Sequence, residues 1–184
     1  MYKYIFVLLL TSILFLGTAE NFAQHKYTGV SACAMCHKTE KSGNQFGVWN
    51  NSLHSKAFET LKSAKAKEIV TKMGLKTEAY ESPECLKCHT TGYGSAAEMF
   101  DAKFKAEDGV QCESCHGAGS DYKSLKIMKN REDAVKNGLN SILVADGSAE
   151  KLCKTCHNEG SPNYKGFNFE EYWNKIKHPK GASN

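Results

Sequence analysis

Cys33, Cys36 and His37 stand in the order C-x-x-C-H, and the same pattern returns at Cys85, Cys88 and His89, at Cys112, Cys115 and His116, and at Cys153, Cys156 and His157. These four pairs use all eight cysteines of the 184-residue chain. With only seven histidines available, one behind every pair has a chance probability on the order of one in a million, so the pentapeptide acts as a unit. Its spacing fits one chemistry well. Two thiols three positions apart can add to the two vinyl groups on a porphyrin edge, and the adjacent imidazole can reach the iron. The pattern predicts haem c, covalently attached four times. Zinc would need the pairs to combine two by two and has no use for the uniform trailing histidine. Four C-x-x-C disulfides in one chain would each be strained and redox-active.

Each iron also needs a ligand opposite its motif histidine, or else stays open to reactants. The remaining histidines are therefore the most informative residues: His25, His54 and His178, three for four irons. His54 lies beside Leu53 and four residues before Phe58, on the edge of an apolar stripe. His178 closes an aromatic C-terminal segment, and His25 stands near the start of the predicted mature chain. Met73, Met99 and Met128 are the other possible donors, each more ordinary as core filler.

The elements that must position these groups read as helix and loop. Trp49, Leu53, Ala57 and Leu61 recur every four residues, predicting a helix over Val48 to Leu61. Asn168 with Glu171 makes an approximate capping box for a helix running through Trp173 and Ile176 to Pro179. Ser148 is a plausible cap for a helix carrying "EKLCKTCH". Lys62 to Lys76 reads as a helix with a solvated basic face. Alternating strand patterns are scarce. The motifs are separated by 52, 27 and 41 residues, so no solenoid repeat is present. The fold class expected is mainly α, a small multihaem c-type cytochrome with helices and loops packed around the cofactors and little strand.

Residues 1–24 carry Lys3, an apolar run from Ile5 to Leu16 and then Gly17, Thr18 and Ala19, the pattern of a secretory signal cleaved near residues 19–24. The run is too short for a membrane span, which needs about 20 apolar residues. Residues 25–184 then form a single domain, exported to the periplasm. The formal charge of +4 is spread among interspersed acids and bases, which gives no basis for nucleic-acid binding.

The order and wording of these segments resemble the tetrahaem cytochrome c-554 family: "YTGVSACAMCH", "WNNSLHSKAF", "ECLKCHTTGYG", "GVQCESCHGAG", "CKTCHN" and a terminal "KIKHP". The match covers most of the mature chain, and "GVQCESCHGAG" is its most specific piece. The resemblance implies a periplasmic electron-transfer protein, largely helical, with closely packed haems and mostly bis-histidine iron. By that similarity His54 and His178 match distal ligands, while the haem of Cys85, Cys88 and His89 would be five-coordinate. The chain departs from the family after its third motif, where "GAGSDYKSLKIMKNREDAVKNG" lacks the family's further distal histidine. His25 or a methionine then substitutes, or a second iron is open.

The function expected is relay of electrons between periplasmic redox proteins that dock transiently. Two alternatives stand beside it: a haem enzyme acting on a small nitrogen or oxygen species at the His89 iron, and a membrane-anchored quinol-oxidising cytochrome that keeps its N-terminal segment.

Overall fold

Ten short helices joined by turns make up the computed structural model, which describes residues 25–179. The export segment read over residues 1–24 lies outside them. In chain order the helices are α1 Val30–His37, α2 Gln45–Asn50, α3 Ala57–Thr60, α4 Ala64–Lys72, α5 Pro83–His89, α6 Cys112–His116, α7 Leu125–Met128, α8 Arg131–Lys136, α9 Ser148–Cys153 and α10 Phe169–Ile176. Among the described residues the only extended pairing is an isolated parallel bridge between Tyr27 and Phe100. The mainly α expectation therefore holds.

Three of the pentapeptides end a helix at their histidine: α1 at His37, α5 at His89 and α6 at His116. Residues three apart on a helix share a face, so each thiol pair points to one side. The fourth departs from expectation. Helix α9 stops at Cys153, and Cys156 and His157 follow in turns. Its cap is Gly147, in the left-handed region at φ 76°, rather than Ser148. The Ser148 hydroxyl instead accepts from the Leu143 amide at 2.8 Å.

The helix expected over Val48 to Leu61 is broken. Helix α2 ends at Asn50, a single 3-10 turn spans His54–Lys56, and α3 restarts at Ala57. Polar side chains make the break: Ser52 Oγ donates to the Trp49 carbonyl at 2.7 Å, and Ser55 Oγ to the Asn50 carbonyl at 2.9 Å, each offering the backbone a non-helical alternative. Leu53, read as part of the apolar stripe, is 84% exposed, whereas Ala57, Phe58 and Leu61 are buried. The two remaining helices form as read. Ser63 caps α4, whose Ala66 and Val70 are buried, and Asn168 caps α10 by accepting from the Glu171 amide at 3.1 Å. Only that half of the box forms, because Glu171 pairs with Lys175.

The side-chain core is small: Phe58, Leu61, Ala66, Val70 and Ala79, with Leu75, Cys85 and Leu86 packed against it. It binds α3 and α4 to the Cys85 pentapeptide. None of the candidate methionines fills it, since Met73 is exposed and Met99 and Met128 are half-buried.

Elsewhere polar groups do the joining. Glu113, inside the third pentapeptide, is 2% exposed. Its carboxylate accepts from the amides of Thr28 (2.8 Å), Gly29 (2.8 Å) and Gly119 (2.7 Å) and from the Thr28 hydroxyl (3.3 Å). Gln111 beside it accepts from the Val30 amide at 2.9 Å and donates to the Lys105 carbonyl at 2.7 Å. These two side chains satisfy amides at the start of α1, which otherwise has no side-chain cap. They lash the first pentapeptide to the third.

Candidate haem sites

The first and third pentapeptides lie together at their cysteines, and this closeness, through hydrogen bonding with Cys112, is the chief cause that pulls the Cys33 thiol down. The second and fourth meet likewise: Cys88 is pushed up to about 11 by burial and then by Cys156. Cys115, pushed up to about 11 mainly by burial, also feels Cys153 and Cys156. The thiols thus order the pentapeptides in space as Cys33/Cys36, Cys112/Cys115, Cys153/Cys156, Cys85/Cys88. No disulfide joins any two of them.

Imidazoles meet in two pairs. The rings of His54 and His157 have centroids 6.1 Å apart, and those of His116 and His178 are 5.9 Å apart. An imidazole–metal bond of about 2 Å on each side of one ion, plus the reach from each nitrogen to its ring centre, separates two opposed imidazoles by roughly 6 Å. Both pairs fit an iron between them. In each, one member is a motif histidine and the other is one of the spare histidines. Burial lowers the pKa of all four: His116 to about 4, and His54, His157 and His178 downward, with neighbouring imidazoles adding to the effect. A neutral ring keeps the lone pair that a metal needs.

Backbone geometry sets His54. The Val110 amide donates to the His54 carbonyl at 3.1 Å, and Trp49 Nε1 donates to the Val110 carbonyl at 2.8 Å. Gly109 makes this approach possible at φ 75° and ψ −137°, a region open almost only to glycine. A Cβ there would lie 2.7 Å from the His54 carbonyl oxygen. Gly109→Ala should therefore cost about 1–3 kcal/mol of stability and displace His54. Chemical denaturation would read the first effect, and loss of part of the low-spin haem signal the second.

His89 is oriented differently. Its Nδ1 lies 2.7 Å from the Ala57 carbonyl, which fixes the proton on Nδ1 and leaves Nε2 for iron. Beside it lies a cavity of about 440 Å³ lined by Cys85, Cys88, Leu61, Ile69, Ala79 and Cys156, among others. Neither a second histidine nor a methionine lines it. His37 Nδ1 faces Gln45 Oε1 at 3.2 Å. His25 meets no motif histidine. Its Nδ1 lies 2.7 Å from Asp121 Oδ2, and its ring sits where a Cβ on Gly138 would fall. Hydrogen bonds from Ser120 and then His25 hold the Asp121 carboxyl below its usual range.

Sequence reasoning missed Glu113, Gln111, Gln45 and Gly109. Only "GVQCESCHGAG", singled out as the most specific segment, carried a signal for three of them.

The family described as "Cytochrome c554 and c-prime" matches residues 32–117, which span the first three pentapeptides. Cytochrome c-554 of Nitrosomonas europaea is 30% identical over 160 residues, an alignment covering 78% of this chain and 63% of that protein. The chain belongs to the cytochrome c-554 family. A solved structure of the reduced state of cytochrome c554 from the same organism superposes with a TM-score of 0.59 at 25% identity, covering 85% of this chain and 86% of the other. The chain spans somewhat less than two thirds of the length of its curated relative. As a member of a c-type cytochrome family it binds haem c covalently. No helix among the described residues is long and apolar enough to cross a membrane.

Proposed function

We propose that this member of the cytochrome c-554 family is an exported, periplasmic electron-transfer protein with four haem c groups, one on each C-x-x-C-H pentapeptide. In this reading His37, His89, His116 and His157 are the proximal ligands. His178 completes the iron of His116, and His54 completes that of His157. The observation that carries the reading is the pairing of both spare histidines with motif histidines at 5.9 Å and 6.1 Å.

Bound haem supplies a one-electron ferric/ferrous couple. The chain's own residues decide what that couple is used for. His54 and His178 occupy the positions a reactant would need, and imidazole on both faces favours a low potential. The thiol neighbourhoods bring all four attachment sites into one contiguous series, which suits relay rather than separate reactions. Haem propionates, about eight in number, would turn the formal charge of +4 into roughly −4, so docking to periplasmic redox partners is electrostatic, brief and weakened by salt.

A second reading is favoured where a motif histidine has no imidazole opposite it, as at His89 and, with His25 held at Asp121, at His37. An iron at His89 would be open to nitric oxide, hydroxylamine or peroxide. The cavity beside it is also the space its own porphyrin would take, so the cavity adds no weight to an enzyme.

A spectroelectrochemical titration with carbon monoxide binding separates the two. Relay predicts reversible uptake of four electrons per chain and no turnover of small nitrogen or oxygen species. An enzyme predicts turnover that carbon monoxide inhibits. Sequencing the mature N-terminus tests export: a start near residues 19–25 fits periplasmic release, and an intact Met1 fits the anchored alternative.

A further inference from the structure

Gln45 touches two of the proposed sites at once. It opens α2 directly after Asn44, the one non-glycine residue with positive φ among those described, at φ 44°. The turn before it is heavily determined. Thr39 and Ser42 exchange side-chain and backbone hydrogen bonds, the Asn44 amide donates to the Thr39 carbonyl at 2.9 Å, and Asn44 Oδ1 accepts from the Gly47 amide at 3.1 Å. Such a turn holds the Gln45 side chain at a fixed place, half-buried between α1 and the end of the described chain.

Its amide can face only one way. Gln45 Nε2 lies against two carbonyl oxygens, those of Ser42 and, at 3.1 Å, Pro179. Carbonyls only accept, so the NH2 group must point at them and Oε1 must point at His37. His37 Nδ1 at 3.2 Å is then required to carry the proton, and Nε2 is left free for iron. Pro179 directly follows His178, so the same amide anchors the backbone next to the second imidazole of the neighbouring site.

We infer that Gln45 is a positioning residue for two iron ligands, fixing the tautomer and orientation of His37 through Oε1 and holding His178 opposite His116 through Nε2. This rests on the reading of His37 and His178 as ligands. The outer-shell acceptor on an imidazole N–H sets how strongly the other nitrogen donates to a metal. Gln45 therefore tunes one haem electronically and another by geometry.

The test uses the fully matured holoprotein and two substitutions. Gln45→Glu is isosteric and keeps an acceptor on His37, now charged, while losing the donor to Pro179. Gln45→Leu removes both contacts. Redox titration should find one haem whose potential falls in Gln45→Glu and rises in Gln45→Leu. Both variants should convert part of one low-spin bis-imidazole signal to high-spin, in near-infrared magnetic circular dichroism. Potentials that shift in the same direction or stay put, or low-spin signals unchanged in both variants, would overturn the inference. The underlying reading is tested separately: an unsubstituted protein without haem on Cys33 and Cys36, or a His178→Ala variant with unaltered spectra, would overturn both.

Discussion

Replacing His54 with alanine should give the holoprotein one more carbon monoxide site per chain than the unsubstituted protein, and replacing His178 should do the same at a different haem. Each histidine stands about one metal-bridging distance from a motif histidine, 6.1 Å to His157 and 5.9 Å to His116. Removing one imidazole leaves an iron with its proximal ligand alone, which turns high-spin and binds exogenous ligands. The opened potential should rise, because a strong axial donor no longer favours ferric iron. Free imidazole in the buffer should restore the low-spin spectrum, which an unfolded site would not allow. His25→Ala should leave these two haems unaltered, because the His25 ring is held at Asp121, away from both pairs. Unchanged gas binding in His54→Ala would remove that residue from the ligand set.

Glu113→Ala should be the most destabilising change outside the haem ligands, by about 3 kcal/mol or more, as estimated from about 1–3 kcal/mol for each buried donor left without a partner. Three backbone amides end on this one carboxylate, at residues 28, 29 and 119. Two of them lie at the entrance to α1, where helix geometry provides no partner. Loss of the carboxylate therefore loosens the first pentapeptide from the third. Glu113→Gln keeps an oxygen but sets an NH2 group against amide donors, so it should be intermediate or nearly as damaging. The midpoint of guanidinium unfolding in holoprotein, compared across the three proteins at matched slope, reads the effect. A loss under about 1 kcal/mol would be the size of a single net hydrogen bond and would contradict the hub.

The attachment chemistry was legible because it is local: five consecutive residues carry two thiols and a ligand, and nothing distant is needed to recognise them. His54 and His178 were legible by scarcity, since three spare histidines faced four irons. Their partners were not legible. The joining of His54 to the fourth pentapeptide and of His178 to the third depends on tertiary folding that no spacing encodes. The helix over Val48 to Leu61 failed because periodicity counted Leu53 as core, while Ser52 and Ser55 had hydroxyls able to take the carbonyls of a helix end. Glu113 was hidden in a variable position of C-x-x-C-H, where a charged residue ordinarily faces water. Its burial is explained only by the amides of Thr28 and Gly29, more than eighty residues earlier. Gln45 was hidden for the same reason, since its partners His37 and Pro179 lie on either side of it in sequence, the second 134 residues away.

Attachment of one haem to each of the four pentapeptides is the claim on which the electron-relay reading stands, and intact-mass analysis of the purified holoprotein with peptide mapping tests it most directly. The account predicts a mass above that of the mature polypeptide by four haems, with haem found on the peptides containing Cys33/Cys36, Cys85/Cys88, Cys112/Cys115 and Cys153/Cys156. A mass equal to the bare chain, or any of these cysteine pairs recovered as thiols or a disulfide from fully matured protein, would contradict it.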